Sequence, residues 1–358
     1  MAVIPKSIGT IGRDYSSMTL WGADLDDTGI YASGDDALGE VYNDSAFDEG
    51  LTINGGAVAG LNSVKLTVPL SDRHDGTAGT GARMVGSTSR ILTLATPSGF
   101  DSNYIVEWLE WDKNNYADEA VTTFGSNFGD VPVIRNMLIH DANGGDSYLG
   151  LVSAGARDLQ VVRCIVYNLT RSTGLDVRGL NIDADQASGG LYNNIIWNVK
   201  NPGAGNSSGI SVLANSVNST VKNNISIGTT ADGVGIATDY NFGGTNPDSD
   251  YNLSSDDTAD DGGGANNLIN GIAADQFIST VDGIEDLHLK SGADAIDTGV
   301  DLITTPVGVN IDINGRDVDS EGDTWDMGAH EFVEAGGATV KSNPLCGSIG
   351  GLLMGPIG

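Results

Sequence analysis

The sequence predicts an all-β solenoid in which short strands stack coil upon coil, and three observations lead there. The first is composition: 51 of the 358 residues are Gly, and the acidic side chains divide into 39 Asp and only 9 Glu. Glu suits helix interiors, whereas Asp competes for local backbone hydrogen bonds and prefers turns and caps. The second is a set of five segments that align without gaps: VIRNMLIH (133–140), VVRCIVYN (161–168), LYNNIIWN (191–198), VKNNISIG (221–228) and SDYNLSSD (249–256). Their starts lie 28, 30, 30 and 28 residues apart. The third is a second series at a similar period, GLVSA (150–154), GLNID (179–183), GISVL (209–213) and GIATD (235–239), with an apolar column of Leu151, Leu180, Ile210 and Ile236. Two strand series that step together while their connections vary in length are the mark of a solenoid. One coil cannot bury its face alone, and stacking makes the core continuous.

Within the first series the fourth column reads Asn136, Cys164, Asn194, Asn224 and Asn252. Asn tolerates the left-handed backbone region, and its amide both donates and accepts, so stacked copies about 4.8 Å apart can form a hydrogen-bonded ladder. Cys164 replaces one rung, which marks it as an internal thiol. The fifth column (Met137, Ile165, Ile195, Ile225, Leu253) and the seventh (Ile139, Tyr167, Trp197, Ile227, Ser255) are two positions apart and are expected to point inward together. The sixth column, Leu138, Val166 and Ile196, should then point outward, yet it is apolar. An exposed apolar stripe implies cover by another segment or by a subunit, so a homo-oligomer is expected, most simply a trimer.

Both ends fit this plan. IGRDYSSMTLWGADL (11–25) places Met18, Trp21 and Leu25 at helical spacing, as in a short helix covering the first coil. LHLKSGADAIDTG (287–299) and DINGRDVDSEGDTWDMGAHEF (312–332) read as a closing element. With the NNII-type strands, these segments resemble the right-handed parallel β-helices of the pectin-lyase-like superfamily. The resemblance implies coils of about 28–30 residues between an N-terminal cap and a C-terminal closing segment. The expected division is a cap and lead-in loop (1–50), coils (51–285), a closing segment (286–334) and an apolar, Gly-rich docking tail (335–358). Before residue 130 the strands are expected at 51–55, 64–70, 90–97 and 104–112, with a loop at 71–83. The superfamily hosts lyases, hydrolases, adhesins and phage spikes alike, so the resemblance speaks to architecture more than to activity.

Charge narrows the partners. A formal net charge of −31, with 17 basic residues and no basic run, repels nucleic acid and anionic membranes. No stretch approaches the roughly 18 apolar residues of a membrane span, and residues 1–15 lack the apolar core of a secretory signal. Cys164 and Cys346 share no metal-ligand or disulfide spacing.

Catalytic candidates are few. Cleavage of a glycosidic bond uses two carboxylates at a set separation. If Leu180 and Ile182 point inward, Asp183 points outward, with Asp239 in the same column two coils later and Asp185 and Arg178 nearby; Arg178 is the local base that a lyase would need. None of the histidines, 74, 140, 288 and 330, has paired spacing, and each reads as a surface or packed residue. Asp317, Asp319, Glu321 and Asp323 mimic the start of a calcium loop without its terminal bidentate acid, leaving Ca²⁺ as the one cofactor to consider. Trp108 and Trp111 are candidate sugar platforms. The resemblance, with an uncharged tail at 345–358 suited to docking on other virion proteins, points to a structural or binding component of a virus particle that contacts glycans. A polysaccharide lyase or glycoside hydrolase, and a carbohydrate-binding adhesin, are the alternatives.

Overall fold

A computed structural model describes residues 2–334 except 54–58, 87–91, 96–102, 114–120, 125–131, 145–150, 155–158, 173, 184–188, 214–217, 233, 244–247 and 322–323. Cys346 and residues 335–358, expected as a docking tail, lie outside the described residues. Three sheets of parallel strands run the length of the molecule. The first starts with Val3–Ile8 and Asp36–Val41 and ends with Asp248–Asp250. The second runs from Arg83–Val85 to Leu253–Ser254, and the third from Leu51–Ile53 to Ala237–Asn241. The chain visits the sheets in rotation, completing six coils between Ser63–Thr67 and Ala237–Asn241. It is a β-solenoid. The first sheet begins inside the segment expected as a cap, and the last solenoid strand ends at Ser254, before the expected limit of the coils.

The corner between the first and second sheets is made by left-handed residues. Trp108, Asn136, Arg163, Asn193, Asn223 and Tyr251 occupy equivalent places with φ between 50° and 67°. Such a conformation costs a non-glycine residue roughly 1–2 kcal/mol, and Asn bears it best. The ladder stands one residue later. Asn194 Nδ2 donates to Asn224 Oδ1 (2.9 Å) and Asn224 Nδ2 to Asn252 Oδ1 (3.1 Å). The backbone N–H of Cys164 donates to Asn194 Oδ1 (2.9 Å). Asn136 is not a rung. The step between Leu138 and Ile165 is one residue shorter than the gap-free alignment assumes, so Met137 holds the ladder column and Asn136 the corner column.

The two faces are also exchanged relative to the expectation. Ile139, Val166 and Ile196 pair side by side and belong to the interior core, whereas Leu138, Ile165, Ile195, Ile225 and Leu253 form the outward column. Leu138, Val166 and Ile196 are all fully buried within this chain, so, contrary to expectation, they offer no oligomer interface and no support for a trimer. The outward column is covered by the chain itself. Phe277, Leu287, Leu289, Ala295, Ile313, Met327 and Ala329 pack over it, so the chain from Phe277 through the closing segment lies along the side of the solenoid. The corner residues fasten it: Asn136 Nδ2 donates to the carbonyls of Ile311 and Asp312, Asn193 Nδ2 to that of Asp326, and Asn223 Nδ2 to that of Val300. Arg163, fully buried, pairs with Glu331 (2.8 Å). Gly328 sits at φ 92° where an added Cβ would lie 2.9 Å from Ile225 Cδ1, so no other residue fits without a shift.

At the other end, Met18–Ala23 forms a helix with Ser17 as N-cap, and Glu49 accepts from the N–H groups of Met18 and Thr19. Met18, Trp21 and Leu25 are buried in the main core. In the third sheet Leu151, Leu180, Ile210 and Tyr240 share a column. Ile236 is not in it and is 66% exposed. Among the described residues no helix is long and apolar enough to cross a membrane.

Candidate functional site

A groove of about 430 Å³ opens on the outer face of the second sheet, beside the closing segment. Its floor follows from a second left-handed row. Asp141, Asn168 and Asn198, one per coil, have φ of 57°, 55° and 60°. They are skipped in the strand pairing between Tyr167 and Leu169 and their neighbours. The backbone twist turns their side chains into a polar ladder on the outside: Asn198 Nδ2 donates to Asn168 Oδ1 (2.6 Å), and Asn168 Nδ2 donates to Asp141 Oδ1 (3.0 Å) and to Glu285 Oε1 (2.7 Å). Half-buried Trp197 flanks this row on one side. Asn143, Thr170 and Lys200, a single column in adjacent coils, flank it on the other, and Thr280 and Asp282, just before the closing segment, close the groove.

Aromatic rings continue from Trp197 into the wall. Tyr167 lies 6.4 Å from Trp197 and stacks on His140 at 5.2 Å with planes 9° apart. His140 is buried; its Nδ1 meets Asp141 Oδ2 at 2.9 Å and its Nε2 meets Glu110 Oε1 at 3.2 Å. Burial works against a charge on His140, but these two carboxylates outweigh it and raise its pKa to about 9. The hydrogen bond from His140 in turn holds Asp141 below the usual carboxylate range. Asp141 is thus an ionised acceptor, not a proton donor for a leaving group. The arrangement can bind a polyhydroxylated ligand: the Asn amides supply donors and acceptors, the carboxylates accept, and Trp197 offers apolar surface. A second hollow of about 550 Å³, outside the first sheet by Tyr104, Ile105 and Val307, is lined mostly by apolar atoms.

The residues expected from the sequence fall elsewhere. Asp239 is buried, lies opposite Gly209 and not in the column of Asp183, and accepts from Thr229 N–H, Ser255 N–H and the Ser255 hydroxyl. Burial raises its pKa, but there is no access for a polymer. Arg178 is buried and tied to Asp176 and Asn181. Asp183 ends a strand of the third sheet, and Asp185 lies outside the described residues. Among the described residues, Asp239 and Arg178 therefore have separate partners. Of the calcium candidates, Asp317 accepts from Asn310 Nδ2, Asp319 is exposed on the short helix Val318–Glu321, and Asp323 lies outside the described residues. Trp108 and Trp111 are buried and present no platform. Cys164 is buried, and burial pushes its thiol up to about 12.

What sequence reasoning missed was Trp197, placed inward, and the row Asp141–Asn168–Asn198. The signal was present. Asp141, Asn168 and Asn198 recur at spacings of 27 and 30 residues, close to the coil period. Comparison with known proteins finds no family model that matches the chain, and no curated protein or solved structure that matches it.

Proposed function

We propose that the protein is a non-catalytic binding module that holds a neutral glycan in the groove beside Trp197, within the virus-particle setting that the sequence resemblance implies. The observation that carries this reading is the juxtaposition of one accessible indole with a row of interlinked amides on a rigid sheet. Sugars present hydroxyls in donor–acceptor pairs and an apolar ring face, and this surface answers both. Lys200 is the one cation among the lining residues, against Asp141 and Asp282, which with the net charge of −31 disfavours a polyanionic ligand. The cleavage alternative loses its support from Asp239, which is enclosed.

The test is a binding panel of neutral and acidic oligosaccharides, run alongside assays for new reducing ends and for unsaturated elimination products. Saturable binding of neutral oligosaccharides without turnover is expected. Turnover, or binding restricted to uronic-acid polymers, would overturn the proposal.

A further inference from the structure

We infer that Asp112, His140 and Asp141 form a binding site for one divalent transition-metal ion of the Zn²⁺ type. Their ligand atoms all lie within 4.8 Å of one another. The fold explains the convergence. Asp112 and His140 are directly opposed in adjacent parallel strands, and so project from the same face of the second sheet. Asp141 follows His140 and would ordinarily project from the other face; its φ of 57° brings its carboxylate to Nδ1 of the preceding imidazole.

Two further observations distinguish this cluster from a chance meeting of acids. The imidazole is fixed by Tyr167 stacked on its face, and its remote nitrogen Nε2 lies 3.2 Å from Glu110, which is itself anchored by the Gly79 N–H (2.8 Å). A carboxylate that holds the far nitrogen of a histidine is the arrangement that orients metal-ligating imidazoles and sets their tautomer. Moreover, Glu110 is fully buried and its Oε2 has no hydrogen-bond partner beside the imidazole. A cation at Nδ1 would replace the proton shared with Asp141 Oδ2. Metal–ligand bonds of about 2.1 Å put neighbouring ligand atoms about 3.4 Å apart, so the 2.9 Å contact need open by only a few tenths of an ångström. One imidazole with two carboxylates suits Zn²⁺ or Mn²⁺, whereas Ca²⁺ prefers six to eight oxygens. Asp141 also lines the groove, so the ion would stand at its edge. The inference does not depend on the glycan reading.

The experiment is calorimetric titration of the full chain with Zn²⁺, Mn²⁺ and Ca²⁺ in a non-chelating buffer, with melting temperatures taken in parallel and Co²⁺ absorption as a probe of the coordination sphere. Asp112→Asn is the main variant because Asp112 is the more exposed of the two strand-paired ligands, and His288→Gln controls for the separate His288–His330 pair. One Zn²⁺ per chain, a raised melting temperature, at least tenfold weaker binding in Asp112→Asn and unchanged binding in His288→Gln are expected. No saturable Zn²⁺ or Mn²⁺ binding, binding indifferent to Asp112→Asn, or a preference for Ca²⁺ at this site would overturn it.

Discussion

Replacing Asn194 with Leu removes the central rung of the ladder, and its effect can be worked from the contacts. The side-chain oxygen accepts from the buried N–H of Cys164 (2.9 Å), and Nδ2 donates to the Val161 carbonyl (3.0 Å) and to Asn224 Oδ1 (2.9 Å). Leu has the same branching and heavy-atom count but makes none of these. The Cys164 N–H is left without an acceptor in a dry interior, at about 1–3 kcal/mol, and each of the other two lost bonds removes about 0.5–1.5 kcal/mol. Asn224 Oδ1 still accepts from the Asn194 backbone N–H, so it is not stranded. The sum is about 2–6 kcal/mol. An unfolding entropy near 2.1 cal/mol/K per residue over 358 residues amounts to about 0.75 kcal/mol/K, so the melting temperature should fall by about 3–8 °C. Differential scanning calorimetry on Asn194→Leu reads this directly. Met137→Leu, in the same column but outside the ladder, is the control and should stay within about 2 °C. An Asn194→Leu protein that melts within about 1 °C of the parent would refute the reasoning.

Three other consequences are open to measurement. Ile195→Ala, in the outward column beneath the closing segment, should destabilise by about 2–5 kcal/mol in urea unfolding, as a core deletion does, and render residues 277–329 more sensitive to proteolysis; a change under about 0.5 kcal/mol would mean that the column is not covered. Stability should peak near pH 6.5. Burial lowers His74 to about 4 and His330 to about 3, so the unfolded chain binds more protons than the native one below pH 6.5 and stability falls on acidification, partly offset by Asp326, which burial and Glu331 raise to about 7. His140, raised to about 9, keeps its proton in the native state where the unfolded chain has released it, so stability also falls between pH 6.5 and 9; urea midpoints that rise across that interval would contradict the ion-paired imidazole. Finally, in a Cys346→Ser background Cys164 should resist a thiol reagent in the native state and react on denaturation, since its thiol is enclosed and raised to about 12; rapid native labelling would contradict its burial.

The coil period and the existence of an asparagine ladder are legible in the sequence because every coil repeats the same local problem at the same corner. Register is less so. Asn193 and Asn194, like Asn223 and Asn224, occupy two adjacent columns with different tasks, and an alignment anchored on Asn136 cannot tell which column it has joined. Inside and outside are legible only when one face is wet. Here the outer face at Ile165 and Ile195 is as apolar as the inner face at Val166 and Ile196, because the closing segment buries it, so alternation disappears. The groove was hidden for the same reason: Thr280 and Asp282 reach Asp141 only because a segment more than a hundred residues later in the chain folds back along the sheet. Trp197, expected inward, lines the groove because its column faces outward.

The measurement closest to the central claim is calorimetric titration of the native protein and of Trp197→Ala with the tightest-binding neutral oligosaccharide. The indole is the apolar half of the site, and an aromatic contact of about 1.4 kcal/mol corresponds to a tenfold change in affinity. Trp197 is half-buried at the groove, so its removal should leave the fold intact while weakening binding about tenfold or more, with circular dichroism unchanged. Equal affinity in the two proteins would place the glycan elsewhere, and absence of binding to any neutral glycan in the native protein would contradict the account.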